Sequence, residues 1–160
     1  MNLDIPLDFN EEFFKWFDFR RWEKMKAVFK DDLLLNSAEQ IVGETSVKLE
    51  AEYKLQVNPR SVNLFYLRDG IRNRIDKRGN VYSVDGTAIR FTEDELLQEL
   101  NDYPDRFSPN VILRGIYQET ILPNILFVGG GSEVAYWMQL KGLFSHYKVP
   151  FPMLVLRNSF

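Results

Sequence analysis

The feature that most constrains the fold of this 160-residue chain lies near its C-terminal end. A short apolar segment at 124–128 precedes three consecutive glycines, a segment of helical periodicity at 133–147 and a second apolar segment at 153–156. This order predicts a βαβ unit, in which the two strands are parallel and the crossover is right-handed. Parallel strands are normally covered by helices on both faces. Two of them are too few for a doubly wound sheet, so the sequence predicts one part of a larger sheet.

The remaining segments predict helices around a small antiparallel meander. Segment 1–56 is helical, with an aromatic-rich helix at 10–30 and a second helix that begins at a Ser37–Gln40 capping box. Segment 61–92 alternates apolar and polar residues and predicts short strands, with Asp85-Gly86 as a two-residue hairpin turn. We therefore expect a single α/β domain over 1–160.

Segment 93–160 combines helices with the βαβ unit. A capping box at Thr92–Glu95 predicts one helix. Ser108 as N-cap with Pro109 at the first helical position predicts the next, which runs to about residue 122.

The composition excludes several classes of function. The chain has no cysteine and a single histidine, so thiol chemistry, disulfides and multi-histidine metal sites are excluded. The net charge of −3 gives no reason to expect a nucleic-acid or membrane partner. No apolar run reaches the ~18 residues of a membrane span, and a cytoplasmic location is expected. The histidine, His146, is expected to have a structural role at the end of its helix.

The glycine turn is the first candidate site. Gly129, Gly130 and Gly131 would let the backbone approach a ligand closely, and the start of the following helix suits an anion. The spacing is neither the dinucleotide fingerprint nor a P-loop. The alternative is a tight turn in which Ser132 caps the helix and Glu133 complements its dipole.

A second candidate is a polar stripe of Asn110, Arg114 and Gln118, spaced four residues apart on one helix face. Arginine can hold a carboxylate or phosphate with two hydrogen bonds, while amides fix orientation. The alternative is a solvent-facing helix side. For Glu119, Glu133 and Gln139, positions on the surface of a helix are the simpler account.

Several motifs resemble the cysteine-adding enzymes of bacillithiol biosynthesis. The most specific stretch is Arg-Phe-Ser-Pro-Asn-Val-Ile-Leu-Arg-Gly-Ile-Tyr-Gln-Glu-Thr-Ile-Leu-Pro-Asn at 106–124, followed by Phe-Val-Gly-Gly-Gly-Ser-Glu-Val-Ala-Tyr-Trp-Met-Gln-Leu at 127–140. Val-Asn-Pro-Arg at 57–60 and Pro-Met-Leu-Val-Leu-Arg-Asn-Ser at 152–159 are similar to other parts of the family. At residues 131–132 the chain has Gly-Ser where many members have Pro-Gly.

The resemblance implies a partial Rossmann-like fold and an activity. Family members are about three times as long, so this chain would be an internal fragment of about one third. They are assigned the ATP-dependent addition of L-cysteine to glucosaminyl-malate, and they dimerise through a coiled coil. ATP or ADP, the two small-molecule substrates and a homodimer are therefore expected for the longer protein, and no metal. The positions matching family motifs, and expected at the substrate pocket, are Asn110, Arg114, Gln118, Glu119, Gly129, Gly130, Gly131, Ser132, Glu133, Tyr136 and Gln139. Catalytic residues are not identified, and a non-catalytic binding or assembly module is the alternative.

Overall fold

The computed structural model describes the backbone of residues 11–158 and the side chains of residues 21–158. This part of the chain forms five α-helices and seven strands. The helices are α1 (Glu11–Leu35), α2 (Ser37–Leu49), α3 (Glu93–Asp102), α4 (Val111–Ile121) and α5 (Gly131–His146). The strands are β1 (Leu64–Arg68), β2 (Ile71–Arg78), β3 (Val81–Val84), β4 (Arg90–Thr92), β5 (Phe107–Pro109), β6 (Leu126–Gly129) and β7 (Met153–Leu156).

The predicted βαβ unit is confirmed. Strands β6 and β7 are parallel, with Leu126 opposite Met153 and Gly129 opposite Leu156. Helix α5 is the crossover between them and packs on one face of the pair, where the side chains of Phe127 and Leu154 join the edge of the core. The fold is therefore α/β.

The other face of β6 and β7 is open in the described structure. Because strand side chains alternate between faces, the residues on either side of Phe127 in β6 and of Leu154 in β7 point away from α5. Their exposed fractions are 48% for Leu126, 55% for Val128, 66% for Met153 and 39% for Val155. We call these four residues the outer apolar face. Among the described residues, the helical cover that parallel strands normally have on both sides is present on one side only.

The antiparallel sheet is larger than predicted. Its strand order is β4-β3-β2-β1-β5, so the meander gains a fifth strand from beyond residue 92. In β5, Pro109 lies opposite Leu64. The prediction of Ser108 as N-cap and Pro109 as first helical residue is thus wrong. A proline is tolerated here because β5 is an edge strand.

Two further local predictions are wrong, and one is confirmed. Residues 85–89 form a five-residue connection between β3 and β4, so Asp85-Gly86 is not a two-residue hairpin. Helix α2 is preceded by Asn36 in left-handed conformation, with φ 53° and no side-chain cap, so Ser37 does not cap it. The capping box of α3 forms as predicted, since Thr92 Oγ1 accepts from the Glu95 amide and the Glu95 carboxylate accepts from the Thr92 amide.

The meander also closes the end of α1. The Tyr82 hydroxyl donates to the Leu33 carbonyl at 2.8 Å. Lys77 Nζ donates to the carbonyls of Leu33 and Leu34 at 2.9 and 3.3 Å. These are carbonyls of the last helical turn, which have no partner within the helix. Lys77, one of the basic residues of β2, therefore has a structural role at the end of α1.

Close contact between α2 and α5 depends on a glycine. A Cβ at Gly142 would stand 2.8 Å from Ile41 Cγ2 and 3.2 Å from Thr45 Oγ1. The helices can approach this closely because position 142 carries no side chain. Within the described residues, no helix is long and apolar enough to cross a membrane.

Candidate functional site

The glycine turn joins β6 to α5 at the carboxyl edge of the parallel pair. Its glycines do not adopt positive φ, since the positive-φ glycines of the described chain are 70, 79 and 86. Gly129 is required for space, because a Cβ there would lie 2.7 Å from Phe127 Cε1 and 3.0 Å from Glu133 Cβ. At Gly131, by contrast, an added Cβ would meet nothing within 4 Å. The turn is thus tight on the sheet side and open on the outer side.

The start of α5 is organised by Glu133, not Ser132. Gly130 is the N-cap, and its amide donates to Glu133 Oε2 at 2.7 Å. Ser132 is exposed and is not the cap, which corrects the sequence-based alternative. The amides of the first turn have no helical carbonyl to bind. They lie at the positive end of the helix dipole, which suits an anion.

A cationic residue, Arg157, follows β7 at the same edge. Its amide donates to the Gly129 carbonyl at 2.8 Å, which ties the end of β7 to the turn. Its guanidinium nitrogen Nη2 lies 3.8 Å from the point where a Cβ on Gly130 would stand. The exposed side chain therefore adds positive charge beside the turn.

An apolar cleft of about 350 Å³ opens beside this turn. One wall is the first two turns of α5, from Gly131 to Gln139, and Leu156 closes the strand end. The facing wall is the end of α2 with residues 53–55 of the connection to β1. We call residues 53–57 the strap. Ligands in open α/β sheets collect at this edge of the strands, and the cleft lies in the usual size range of ligand pockets.

Gln139 holds the strap against α5. Its side-chain oxygen accepts hydrogen bonds from the amides of Gln56 and Val57 at 3.1 and 3.3 Å. Its Nε2 donates to the Val57 carbonyl at 2.6 Å and to Ser46 Oγ at 2.7 Å. Only 1% of Gln139 is exposed, so the expected helix-surface position is wrong. All four hydrogen-bonding positions of this amide are used.

Glu119 is also buried, at 2% exposure, and is not a surface residue as expected. Its two carboxylate oxygens accept from the backbone amide and the side-chain amide of Asn124, both at 2.7 Å. These bonds fix the chain between α4 and β6. Glu119 therefore has a structural role at the connection that leads into β6.

Asn110 belongs to a buried polar cluster. Its side-chain oxygen caps α4 by accepting from the Ile112 amide at 2.8 Å. Its Nδ2 donates to Asn63 Oδ1 at 3.1 Å. Asn63 in turn donates its backbone amide and its Nδ2 to the carboxylate of Asp32, at 2.6 and 3.1 Å. The cluster thereby links α1 to the residue before β1 and to the N-cap of α4. Burial raises the pKa of Asp32 to about 7.

Arg114, Gln118 and Tyr136 lie apart from the cleft. Arg114 and Gln118 are exposed on α4. The Tyr136 hydroxyl donates to the Val111 carbonyl at 2.6 Å, and burial raises its pKa while nearby Arg114 opposes the shift. The cleft is lined by another side of α5. The predicted site residues therefore form two groups, one at the glycine turn and one at α4.

The cleft residues Tyr53, Lys54 and Leu55 were missed by the sequence analysis. No local pattern reveals them, because their position depends on Gln139, which is more than 80 residues away in sequence. His146 lies within 3.5 Å of Asp31 at the end of α5, beside the hydrogen bond from Tyr147 to Asp31. Among the described side chains, no group of three or more potential ligands could hold a metal ion.

Comparison with known proteins agrees with this architecture. The sequence model for the N-terminal Rossmann-like domain of the bacillithiol biosynthesis protein BshC matches residues 18–158. A relative from Christiangramia forsetii is 52% identical over 129 residues, which are 80% of this chain and 24% of the relative. Relatives from Flavobacterium johnsoniae (47% over 130 residues, 81% of this chain and 24% of the relative) and Cytophaga hutchinsonii (42% over 136 residues, 84% and 26%) are similar. All three are named "Putative cysteine ligase BshC".

The parallel pair, the crossover helix and the matched model together define a Rossmann-like α/β domain. More specifically, the chain belongs to the BshC family of bacillithiol biosynthesis. The family resemblance of the sequence is thus confirmed. The chain spans about a quarter of the length of the curated relatives it matches.

Proposed function

We propose that this chain is a piece of an ATP-dependent cysteine ligase that joins L-cysteine to glucosaminyl-malate in the last step of bacillithiol biosynthesis. It contributes one side of the substrate pocket, and segments outside this chain complete the active site. The longer protein is proposed to act in the cytoplasm as a homodimer. Membership in a family whose relatives carry the name of a cysteine ligase supports the proposal.

The chemistry of the reaction defines what such a pocket must do. Amide formation joins a carboxyl carbon of one substrate to an amine nitrogen of the other. ATP first activates the carboxylate as a C–O–P anhydride; the amine then displaces the phosphorus-bound oxygen, which leaves with the phosphate group, and the nitrogen loses a proton. A site for this reaction must neutralise phosphate and carboxylate charge and hold the reacting groups in contact.

The observation that carries the proposal is the arrangement at the carboxyl edge of β6 and β7. An open glycine turn, the start of a helix and the guanidinium of Arg157 lie together beside a cleft. Backbone amides at a helix start and an arginine are groups that proteins commonly use to bind phosphate. Because the Glu133 carboxylate already accepts from the Gly130 amide, a phosphate at this edge would bind the remaining amides of the first turn and Arg157.

Calorimetric titration of the purified chain with ATP and ADP tests the proposal. We expect binding, and Arg157→Ala should weaken it about tenfold because one charge-assisted hydrogen bond to phosphate is lost. Arg114→Ala, which removes an exposed arginine from α4, tests the other group of predicted residues. Absence of binding at millimolar nucleotide, with the fold intact, would show that the nucleotide site lies elsewhere in the longer protein.

A non-catalytic binding or assembly module is the second candidate. The outer apolar face favours it, because contiguous exposed apolar surface marks sites of protein association. Analytical ultracentrifugation separates the two. A defined oligomer that binds neither nucleotide would support the module.

A further inference from the structure

The lining of the cleft is apolar, although the turn beside it is suited to charge. Tyr53, Leu55, Val134, Ala135, Met138 and Leu156 contribute to its surface. Tyr53 and Met138 are more than a third exposed, at 57% and 40%, so a ligand in the cleft would cover them. A cleft with this lining stabilises a ligand through the apolar surface that it buries.

The three ligands of the proposed reaction differ in this respect. Cysteine is a small zwitterion, and glucosaminyl-malate is a sugar joined to a dicarboxylic acid. Placing either against these side chains would bury polar or charged groups without hydrogen-bond partners, which is unfavourable. The purine ring of ATP, in contrast, is planar and has two large faces that can stack on an aromatic side chain.

The charged residues near the cleft agree with a nucleotide whose purine ring lies in the cleft and whose phosphates lie at the glycine turn. Lys54 contributes to the cleft beside Tyr53, and Gly131 connects the cleft to the glycine turn. Arg157 Nη2 and Glu133 Oε2 both lie near Gly130, at 3.8 and 3.7 Å from the point where a Cβ there would stand. A nucleotide with its base in the cleft could therefore extend its phosphates over Gly131 toward Arg157.

The strap wall of the cleft is held in place by Gln139. In the described chain the strap has no strand or helix of its own. Its amides at Gln56 and Val57 donate to Gln139 Oε1, and Gln139 Nε2 donates to Ser46 Oγ on α2. Loss of these bonds would free the wall that carries Tyr53 and Leu55.

We propose that the cleft between the strap and α5 is the subsite for the purine ring of the nucleotide, and that Gln139 is the positioning residue that fixes its wall. This inference rests on the proposed function, since it assigns one part of the ATP that the ligase would use.

The test is calorimetric titration of the full chain with adenosine and, separately, with inorganic tripolyphosphate. Adenosine carries the ring without the phosphates, and tripolyphosphate carries the phosphates without the ring. Ala135→Trp fills the cleft from the surface of α5. Ser145→Trp is the matched control, because residue 145 is exposed on the last turn of the same helix.

We expect adenosine to bind the wild-type chain and the Ser145→Trp variant, and Ala135→Trp to weaken this binding at least tenfold. Gln139→Leu should weaken adenosine binding and leave the affinity for tripolyphosphate unchanged. A purely structural role of Gln139 would change both affinities together. Circular dichroism confirms that each variant is folded.

Two sets of results would refute the purine subsite. If ATP binds but adenosine does not, or if Ala135→Trp binds adenosine as the wild type does, the purine subsite is refuted and the proposed ligase function stands. If neither adenosine nor ATP binds, the proposed nucleotide site on this chain is refuted together with the subsite.

Discussion

Asp32 is a completely buried carboxyl group whose only described partners are the two N–H groups of Asn63. Burial raises its pKa to about 7, and the hydrogen bonds from Asn63 oppose that shift without cancelling it. The acidic neighbours Asp31 and Glu39 raise the pKa further. The group therefore stays protonated in the folded chain at pH values where the unfolded chain is ionised.

This difference predicts a pH dependence of stability. Between about pH 4 and pH 7 the folded state binds more protons at Asp32 than the unfolded state, so the free energy of unfolding falls as the pH rises through this window. The decrease should be on the order of a few kcal/mol. Urea unfolding across the window should show that Asp32→Asn lacks this decrease, because its side chain does not titrate.

Glu44→Gln is the control for that measurement, because Glu44 is exposed on α2 and its removal should leave the pH dependence as in the wild type. An Asp32→Asn profile parallel to the wild-type profile would contradict the prediction.

At the residue scale, the sequence predicted which helix each candidate residue lies on better than it predicted what the side chain contacts. Arg114 and Gln118 share one side of α4, as their spacing of four residues predicted, and that side is exposed. Glu119 and Gln139 were expected on helix surfaces, yet both are buried. Their partners, Asn124 for the first and the strap for the second, are set by tertiary structure. Periodicity describes one helix at a time and carries no information on such partners.

At the scale of elements, the contact between α2 and α5 limits the side chain that position 142 can carry. Gly142→Ala would place a methyl group 2.8 Å from Ile41 Cγ2, and this branch cannot move aside without shifting α2. Overpacking of this kind costs about 1–3 kcal/mol. Alanine regains up to about 1 kcal/mol in helix propensity, so a net loss in the free energy of unfolding is expected.

Gly43→Ala provides the matched comparison within α2. An added Cβ at residue 43 meets nothing within 4 Å, so the substitution should raise the free energy of unfolding by up to about 1 kcal/mol. Thermal denaturation of both variants measures the contrast. Equal effects at the two glycines would show that α2 and α5 are not in close contact.

Elements with local signals were predictable, and elements defined by distant partners were not. Strand β7 and the capping box of α3 lie where the sequence placed them. Strand β5 was read as a helix start, because Ser-Pro is a local helix signal and its pairing partner β1 is more than 40 residues away. The division of the chain into 1–56, 61–92 and 93–160 stays a prediction, although the antiparallel sheet includes a strand from the third segment.

For the whole molecule, the outer apolar face predicts a measurable surface property. The chain should enhance the fluorescence of a hydrophobic dye such as 8-anilinonaphthalene-1-sulfonate while fully folded, because folded monomers rarely expose such patches. Replacing both Val128 and Val155 with threonine should lower the enhancement. The melting temperature should change little, since both side chains are more than a third exposed.

Val47→Thr is the control, because it changes a valine that is 74% exposed but lies on α2 and not on the parallel strands. Dye enhancement that survives in the double variant but disappears in Val47→Thr would place the apolar surface on the helices instead.

The bonds that Lys77 and Tyr82 make to the end of α1 have a consequence for the order in which the protein forms during synthesis. The donors lie 43 to 49 residues after the carbonyls they satisfy. While the chain is still on the ribosome, the carbonyls of the last turn of α1 can bind only water. Their protein donors become available when β2 and β3 have been translated and have left the exit tunnel. Helix α1 is made before this sheet, but the end of the helix is completed only when the sheet has formed.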